Sequence, residues 1–266
     1  MKRKLFLGIS LVLLLTLFFL YFIPSPERFY AKEHEDKVIL IAHAGGAIDG
    51  KVYTNSLEAV ELSIRNEYDF IELDLYETED KKIGALHNVH EFNDFTGFRD
   101  YSKPLNSEDF RSRRIYGTMH PLLSTDINRL FDKEQTYLVT DKIKNFDLLN
   151  EEILVSKELL LVEVFTYRSY FKALRKGIRH PMLCVKDSRD LSLYWPLLIT
   201  GKISMITIPK ELIALRQDDL ESLYKRGVSI FAFTSNDKDY ILKHAGTTVS
   251  GFYTDSITYK DLYGQQ

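Results

Sequence analysis

The sequence predicts one large α/β domain built on a parallel sheet, open or closed. Three observations point there. Short apolar runs alternate with amphipathic helical stretches from about residue 38 onward. The first run, Val38 to Ala42, is apolar without interruption, the pattern of a parallel strand covered on both faces. The chain has 266 residues, which suits a single α/β domain of roughly 250 residues after a short leader.

Nine strand-like runs follow in order: Val38 to Ala42, Phe70 to Leu75, Ile83 to His87, Tyr137 to Thr140, Leu159 to Phe165, Met182 to Val185, Ile203 to Ile208, Ser229 to Thr234 and Gly251 to Tyr253. If eight of them close a barrel, one is surplus or forms a side hairpin. Asn55 to Arg65 reads as a helix with Leu57, Val60 and Ile64 on one face and Asn55 or Ser56 as its cap. Ser124 to Phe131, Arg168 to Lys176 and Glu211 to Arg226 are also helical, and Gly177 stops the second of these. Residues 88–121 are polar, aromatic and irregular, and predict a long loop or lid in which Arg111, Arg113 and Arg114 are solvated.

The N-terminus divides the chain. Lys2, Arg3 and Lys4 precede an uncharged apolar run from Leu5 to Ile23, close to the roughly 20 residues that cross a bilayer as a helix. The basic flank predicts a cytoplasmic N-terminus with the rest exported. A cleaved signal peptide is the rival, but the run is long and ends in Tyr21, Phe22, Ile23 and Pro24 rather than small residues. The expected organisation is a single-pass membrane anchor over 1–24, a short polar stalk over 25–37 and an extracytoplasmic domain over 38–266. The formal charge of -3 supplies no basic field for nucleic acid. The single cysteine, Cys184, excludes an intramolecular disulfide and a clustered thiolate metal site, and reads as a small buried hydrophobe.

Three polar clusters fall at or near strand ends: His43-Ala44-Gly45-Gly46, Glu72-Leu73-Asp74 and His87-Asn88. Glu72 and Asp74 sit two apart in a strand and share a face. Two carboxylates there repel and lose hydration, and a divalent cation relieves both, Mg²⁺ or Ca²⁺ suiting hard oxygen ligands. The alternative is a pair of exposed acids on an edge strand, or acids paired with Lys or Arg. His43 and His87 are of the type that exchanges protons near neutral pH. Gly45 and Gly46 let the backbone come close to a ligand. His34, His90, His120, His180 and His244 read as structural.

Taken in order, these clusters resemble the glycerophosphodiester phosphodiesterase family. Its motifs run His-Arg-Gly, Glu-Asn-Thr, Glu-Leu-Asp, Thr-x-Asp-Gly and His-Asp; this chain has His43-Ala44-Gly45, Thr54-Asn55-Ser56, Glu72-Leu73-Asp74, Thr78-Glu79-Asp80-Lys81 and His87-Asn88. Met119-His120-Pro121-Leu122-Leu123, Ala232-Phe233-Thr234-Ser235-Asn236 and Gly251-Phe252-Tyr253-Thr254-Asp255 resemble its later motifs, so the likeness covers nearly all of 38–258. The resemblance implies a TIM (β/α)8 barrel of the phospholipase C-like phosphodiesterase type. It implies Glu72 and Asp74 as ligands of a divalent cation, and His43 and His87 as general acid and base. The third ligand, an acid in a Glu-x-Lys strand, falls on Asp141 in Thr140-Asp141-Lys142, with Glu163 as the alternative, itself otherwise a barrel-interior acid paired with Lys142. Lys142 and Gly45 would contact the substrate. Ala44 replaces the motif arginine, Thr54 its glutamate and Asn88 its aspartate.

The implied reaction is metal-dependent hydrolysis of a phosphodiester: a small glycerophosphodiester, a phospholipid head group or a glycerol-phosphate polymer of the envelope. Two other readings stand beside it. One is a phospholipase of the phosphatidylinositol or sphingomyelinase D type, docking through Phe92, Phe95, Phe98, Tyr101 and Phe110. The other is a non-catalytic envelope protein that binds a phosphorylated glycan.

Overall fold

The computed structural model describes residues 25–27, 29, 38–100, 105–132 and 136–264. Eight parallel strands close into a barrel: β1 (Ile39–Ala42), β2 (Phe70–Glu77), β4 (Tyr137–Asp141), β5 (Leu160–Val164), β6 (His180–Cys184), β7 (Met205–Pro209), β8 (Ser229–Phe233) and β9 (Gly251–Thr254). β1 pairs with both β9 and β2, which closes the ring. The ninth strand, β3 (Ile83–Ala85), pairs antiparallel with the far end of β2. The surplus run is therefore a side hairpin, and it is shorter than the span to His87.

Alternation along each strand divides the core in two. Ile39, Ile41, Phe70, Val139, Leu161, Met182, Met205, Phe231 and Tyr253 fill the barrel interior. The intervening residues, among them Leu40, Ile71, Leu73, Leu138 and Val162, face outward against the helices in a larger apolar layer. Closure buries both strand faces, so the strands read as continuous apolar runs. A Cβ on Gly251 would stand 2.2 Å from the Ile39 carbonyl oxygen, so only glycine fits where β9 begins alongside β1.

Helices connect the strands around the outside. α1 (Leu57–Arg65) is capped by Ser56, whose hydroxyl accepts from the Ala59 amide. After β3 come α2 (Val89–Thr96), α3 (Ser107–Ser112) and α4 (Ser124–Phe131). The expected long loop over 88–121 thus contains two short helices. Their aromatic residues are used in packing. Phe92 and Phe110 stack at 4.8 Å and build a satellite core with Leu86, Leu105, Ile115, Met119 and Leu123. Arg113 is not a solvated loop residue either. Its guanidinium donates to Asn93 Oδ1 and lies 3.9 Å from the centre of the Phe98 ring.

α5 (Phe146–Glu152), α6 (Tyr167–Arg175) and α7 (Ser188–Ile199) alternate with β5 to β7, and Gly177 follows α6 with φ of +81°. The expected single helix from Glu211 to Arg226 is two, α8 (Glu211–Leu215) and α9 (Gln217–Lys225), because Arg216 leaves helical geometry (φ -139°). α10 (Lys238–His244) and α11 (Tyr259–Tyr263) flank β9.

The expected polar stalk needs one correction. Phe29 packs edge-on against Phe70, Tyr137 and His180 at the N-terminal end of the barrel, and closes its base. The Leu5 to Ile23 run lies outside the described residues. Among those described, no helix is long and apolar enough to cross a membrane. Cys184 is buried on β6 and unbridged.

Candidate active site

At the C-terminal ends of the strands the inward-facing positions turn from apolar to polar. On β2, Phe70 is followed on the same face by Glu72 and Asp74; on β4, Val139 is followed by Asp141, which pairs in register with Asp74. Glu72 and Asp74 are each 4% exposed, which removes the edge-strand alternative. Carboxylate oxygens of Glu72, Asp74 and Asp141 lie within 4.8 Å of one another.

Each acid is held differently. Glu72 Oε2 accepts the Ala44 amide at 2.8 Å. Asp74 Oδ2 accepts from Asn55 Nδ2 at 2.9 Å, Asn55 Oδ1 accepts the Asp74 amide at 2.9 Å, and Lys142 Nζ donates to Asp74 Oδ1 at 2.5 Å. Asp141 Oδ1 is buried with no hydrogen-bond partner. Burial would raise Asp74, but the Lys142 ammonium and the Asn55 amide outweigh it and hold the carboxyl below its ordinary value. Glu72 is pushed well up by burial and by the charges of Asp74 and Asp141. Asp141 is pushed up to about 9, by burial and then by Asp74.

Lys142 follows Asp141 directly, and in an extended strand it would point to the opposite side. Its φ of +60° bends the chain and returns the ammonium to Asp74. Alternation turns Asp141, rather than Thr140, into the site, and the bend lets Lys142 reach it as well. Glu163 takes no part in the carboxylate cluster. It accepts from the Tyr253 hydroxyl at 3.0 Å, so the expected Glu163–Lys142 pair does not form. Three acids with an orphaned buried oxygen and a single lysine fit a divalent cation: the oxygens bonded by Asn55 and Lys142 keep a second lone pair each. Glu72, Asp74 and Asp141 would hold it.

The two histidines are built alike. His43 directly follows β1 and its Nδ1 lies 3.0 Å from Asp255 Oδ1. Asp255 is held in turn by Asn236, which donates to Oδ2 at 2.7 Å and accepts the Asp255 amide at 2.8 Å. An ionised carboxylate only accepts, so Nδ1 carries the proton and Nε2 is left for a ligand. His87 Nδ1 lies 2.6 Å from Glu91 Oε2, with the same consequence. Asn88, which stands where the resemblance expects an acid, caps α2: its Oδ1 accepts the Glu91 amide at 2.9 Å.

Tyr53 joins these halves. Its ring centre is 4.7 Å from that of His43 and 5.9 Å from that of His87. Its hydroxyl pKa is raised by burial and by Asp255, Asp74, Glu91 and Glu72, so it sits among the acids of both clusters. Ala44, Tyr53, Asn55 and Lys142 are all non-glycine residues at positive φ (48°, 59°, 48° and 60°), a concentration of backbone strain at the barrel mouth.

Gly45 serves packing. At φ +85°, a Cβ there would meet Val60 at 3.3 Å and Ala59 at 3.4 Å, and its carbonyl accepts from Ser63 Oγ at 2.7 Å. Its described contacts are with α1. The buried Thr54 hydroxyl, where the resemblance expects a glutamate, lies 3.0 Å from Ser56 Oγ. The other described histidines have structural surroundings: His120 with Glu58, His90 with Asp94, His180 against Phe29 and His244 against Tyr240.

His43, His87, Glu72, Asp74, Asp141 and Lys142 therefore converge at one end of the barrel. Sequence reading missed Tyr53, Glu91 and the holding role of Asp255. Glu91 had a signal: Asn88 with an acid three residues later is a helix-start pattern. Asp255 was visible only as part of a closing motif. Tyr53 had no signal.

The barrel and its mouth define a fold shared with phosphoric diester hydrolases. A glycerophosphodiester phosphodiesterase from Thermotoga maritima superposes with a TM-score of 0.64 at 18% identity, covering 84% of this chain and 96% of that one. One from Agrobacterium tumefaciens gives 0.63 at 15%, covering 85% and 99%. A phosphodiesterase from Oleispira antarctica, solved in complex with the product sn-glycerol-3-phosphate, gives 0.63 at 14%, covering 81% and 92%. No protein-family model matches the sequence, and no curated protein matches it. The fold is thus the glycerophosphodiester phosphodiesterase barrel.

Proposed function

We propose that the protein hydrolyses a phosphodiester carrying a free hydroxyl next to its phosphate, with His43 and His87 as the acid–base pair. The observation that carries this reading is that two imidazoles, each locked by a carboxylate on Nδ1, flank the Glu72–Asp74–Asp141 cluster. One imidazole takes the proton of the substrate hydroxyl as it attacks phosphorus, and the other protonates the departing alcohol. Water then opens the cyclic phosphate with the roles reversed. Lys142 neutralises charge beside Asp74, and Tyr53 offers a hydroxyl donor between the imidazoles. Glu72, Asp74 and Asp141 would hold a Mg²⁺ or Ca²⁺, which would supply positive charge for the phosphoryl oxygens and for ionisation of the attacking hydroxyl.

The fold neighbours support this class of substrate, and the Oleispira antarctica complex supports a glycerol phosphate as product. The apolar run from Leu5 to Ile23 is proposed to hold the barrel at a membrane, outside the cytoplasm. The phospholipase reading is weakened because Phe92 and Phe110 are buried and Phe98 is covered by Arg113, while Phe95 is partly exposed and Tyr101 lies outside the described residues.

The test is a panel of phosphodiesters assayed with and without EDTA. Chelator-sensitive release of glycerol phosphate, lost in His43→Ala, is expected. Wild type and His43→Ala alike in turning over nothing would return the protein to a binding role.

A further inference from the structure

Beside the carboxylate cluster lies a cavity of about 670 Å³ between the segments that follow β4 and β5. Lys142 and Glu163 form its inner wall, so it opens directly off the proposed catalytic centre. Phe146, which is buried, and Phe165, which is partly exposed, give it apolar lining, and Lys144 and Lys172 line it too. Lys172 Nζ is 5.4 Å from the centre of the Phe146 ring and donates to the Lys144 carbonyl at 3.3 Å. That contact ties the Lys172 ammonium to the Lys144 backbone. Neither makes an ion pair with a described residue. The one acid in the lining is Glu163, which is buried and accepts from Tyr253. The cavity is therefore a positively charged recess next to a centre that acts on an anion, and its other two cations have no acidic partner.

We infer that this recess is a subsite for a second anionic group of the substrate, so that the preferred phosphodiester bears a further phosphate or carboxylate beyond the scissile phosphate. The inference rests on the hydrolytic reading and narrows its substrate class. Lys142 marks the border: its ammonium is bound to Asp74 on the catalytic side, whereas Lys144 and Lys172 face the recess. A neutral or cationic alcohol such as choline gains nothing there. An oligomer of glycerol phosphate places its next phosphate against two ammonium groups beside the apolar lining, where charge-assisted hydrogen bonds form.

The test compares a short glycerol-phosphate oligomer with glycerophosphocholine on wild type and on the double variant Lys144→Gln/Lys172→Gln, in the presence of a divalent cation. The variant is expected to raise KM for the oligomer about tenfold with kcat unchanged, and more at low salt than at high. KM for glycerophosphocholine should move less than about twofold. Equal shifts on both substrates, or none, overturn the subsite while leaving phosphodiester hydrolysis standing. If wild type turns over neither compound, the hydrolytic reading fails. Titration calorimetry of the oligomer then decides the subsite alone: about tenfold weaker binding by the variant keeps it, and unchanged binding removes it. A defect confined to vesicles containing anionic lipid would reassign the lysines to membrane docking and overturn the proposal.

Discussion

The two ends of the barrel interior obey the same alternation and do opposite things with it. At the base, Phe29, Phe70, Tyr137 and Phe231 pack ring against ring, with Phe70 and Tyr137 stacked at 4.4 Å. At the mouth, two to four residues further along β2 and β4, and on the neighbouring β5, the inward positions hold Glu72, Asp74, Asp141 and Glu163. The base is mostly interlocked apolar rings, with the buried His180 imidazole as its polar exception. The mouth instead holds buried acids, an orphaned oxygen on Asp141 and four non-glycine residues at positive φ. Distance along a strand thus separates what makes the barrel stable from what makes it reactive.

The sharpest way to break this contrast is at the imidazoles. His87→Ala should lower kcat about 10²- to 10⁴-fold with thermal unfolding unchanged, since His87 lies at the mouth and supports no core group. A melting temperature that falls along with kcat would deny the separation. Next in size is the base. Phe231 is fully buried, and Phe231→Ala should cost about 3–5 kcal/mol of stability by chemical denaturation, with kcat per folded molecule retained. Loss of kcat at full folding would show that the base shapes the site.

Acidity distinguishes the ends in a third way. The Asp141 carboxyl rises from 3.8 to about 9 on folding, so between those values the folded chain holds a proton that the unfolded chain has released. Without a divalent cation, stability should therefore fall as pH climbs from about 4 to about 9. Asp141→Asn should flatten that slope, and saturating Mg²⁺ or Ca²⁺ should offset it by binding the ionised acids. A metal-free melting temperature independent of pH would contradict the burial of these acids. The smallest effect belongs to Asn88→Ala, which removes a helix cap and should cost about 1 kcal/mol, with a modest loss of kcat as Glu91 loosens behind His87. An unchanged kcat would leave Glu91 without a positioning role.

Much of this was legible in the sequence. The nine strand runs were countable because buried parallel strands keep unbroken apolar runs, but closure of the sheet and the run that forms the side hairpin were not. Glu72 and Asp74 were found because a strand puts alternate residues on one face. What escaped depended on chain reversals that carry no period. Alternation places Asp141 with Val139 on the inward face, but Lys142 then belongs outside, and it reaches Asp74 only through a left-handed bend. Tyr53 meets both histidines from an irregular segment, and Glu91 sits on a helix hidden in a polar, aromatic stretch. Glu163 shares the inward face and was a fair rival to Asp141. The Tyr253 hydroxyl, which arrives from the last strand, satisfies it instead.

Phe29 closes the floor of the barrel, and its neighbours in sequence attach to that same rim: Ser25 accepts from Lys202, and Glu27 lies 3.7 Å from Arg179. Ser25, Glu27 and Phe29 thus all lie on the underside of the barrel. If the run from Leu5 to Ile23 is embedded in a bilayer, the molecule stands on its stem like a goblet, bowl turned away from the lipid it is rooted in. Such a posture favours molecules arriving from the aqueous side over head groups of the supporting leaflet.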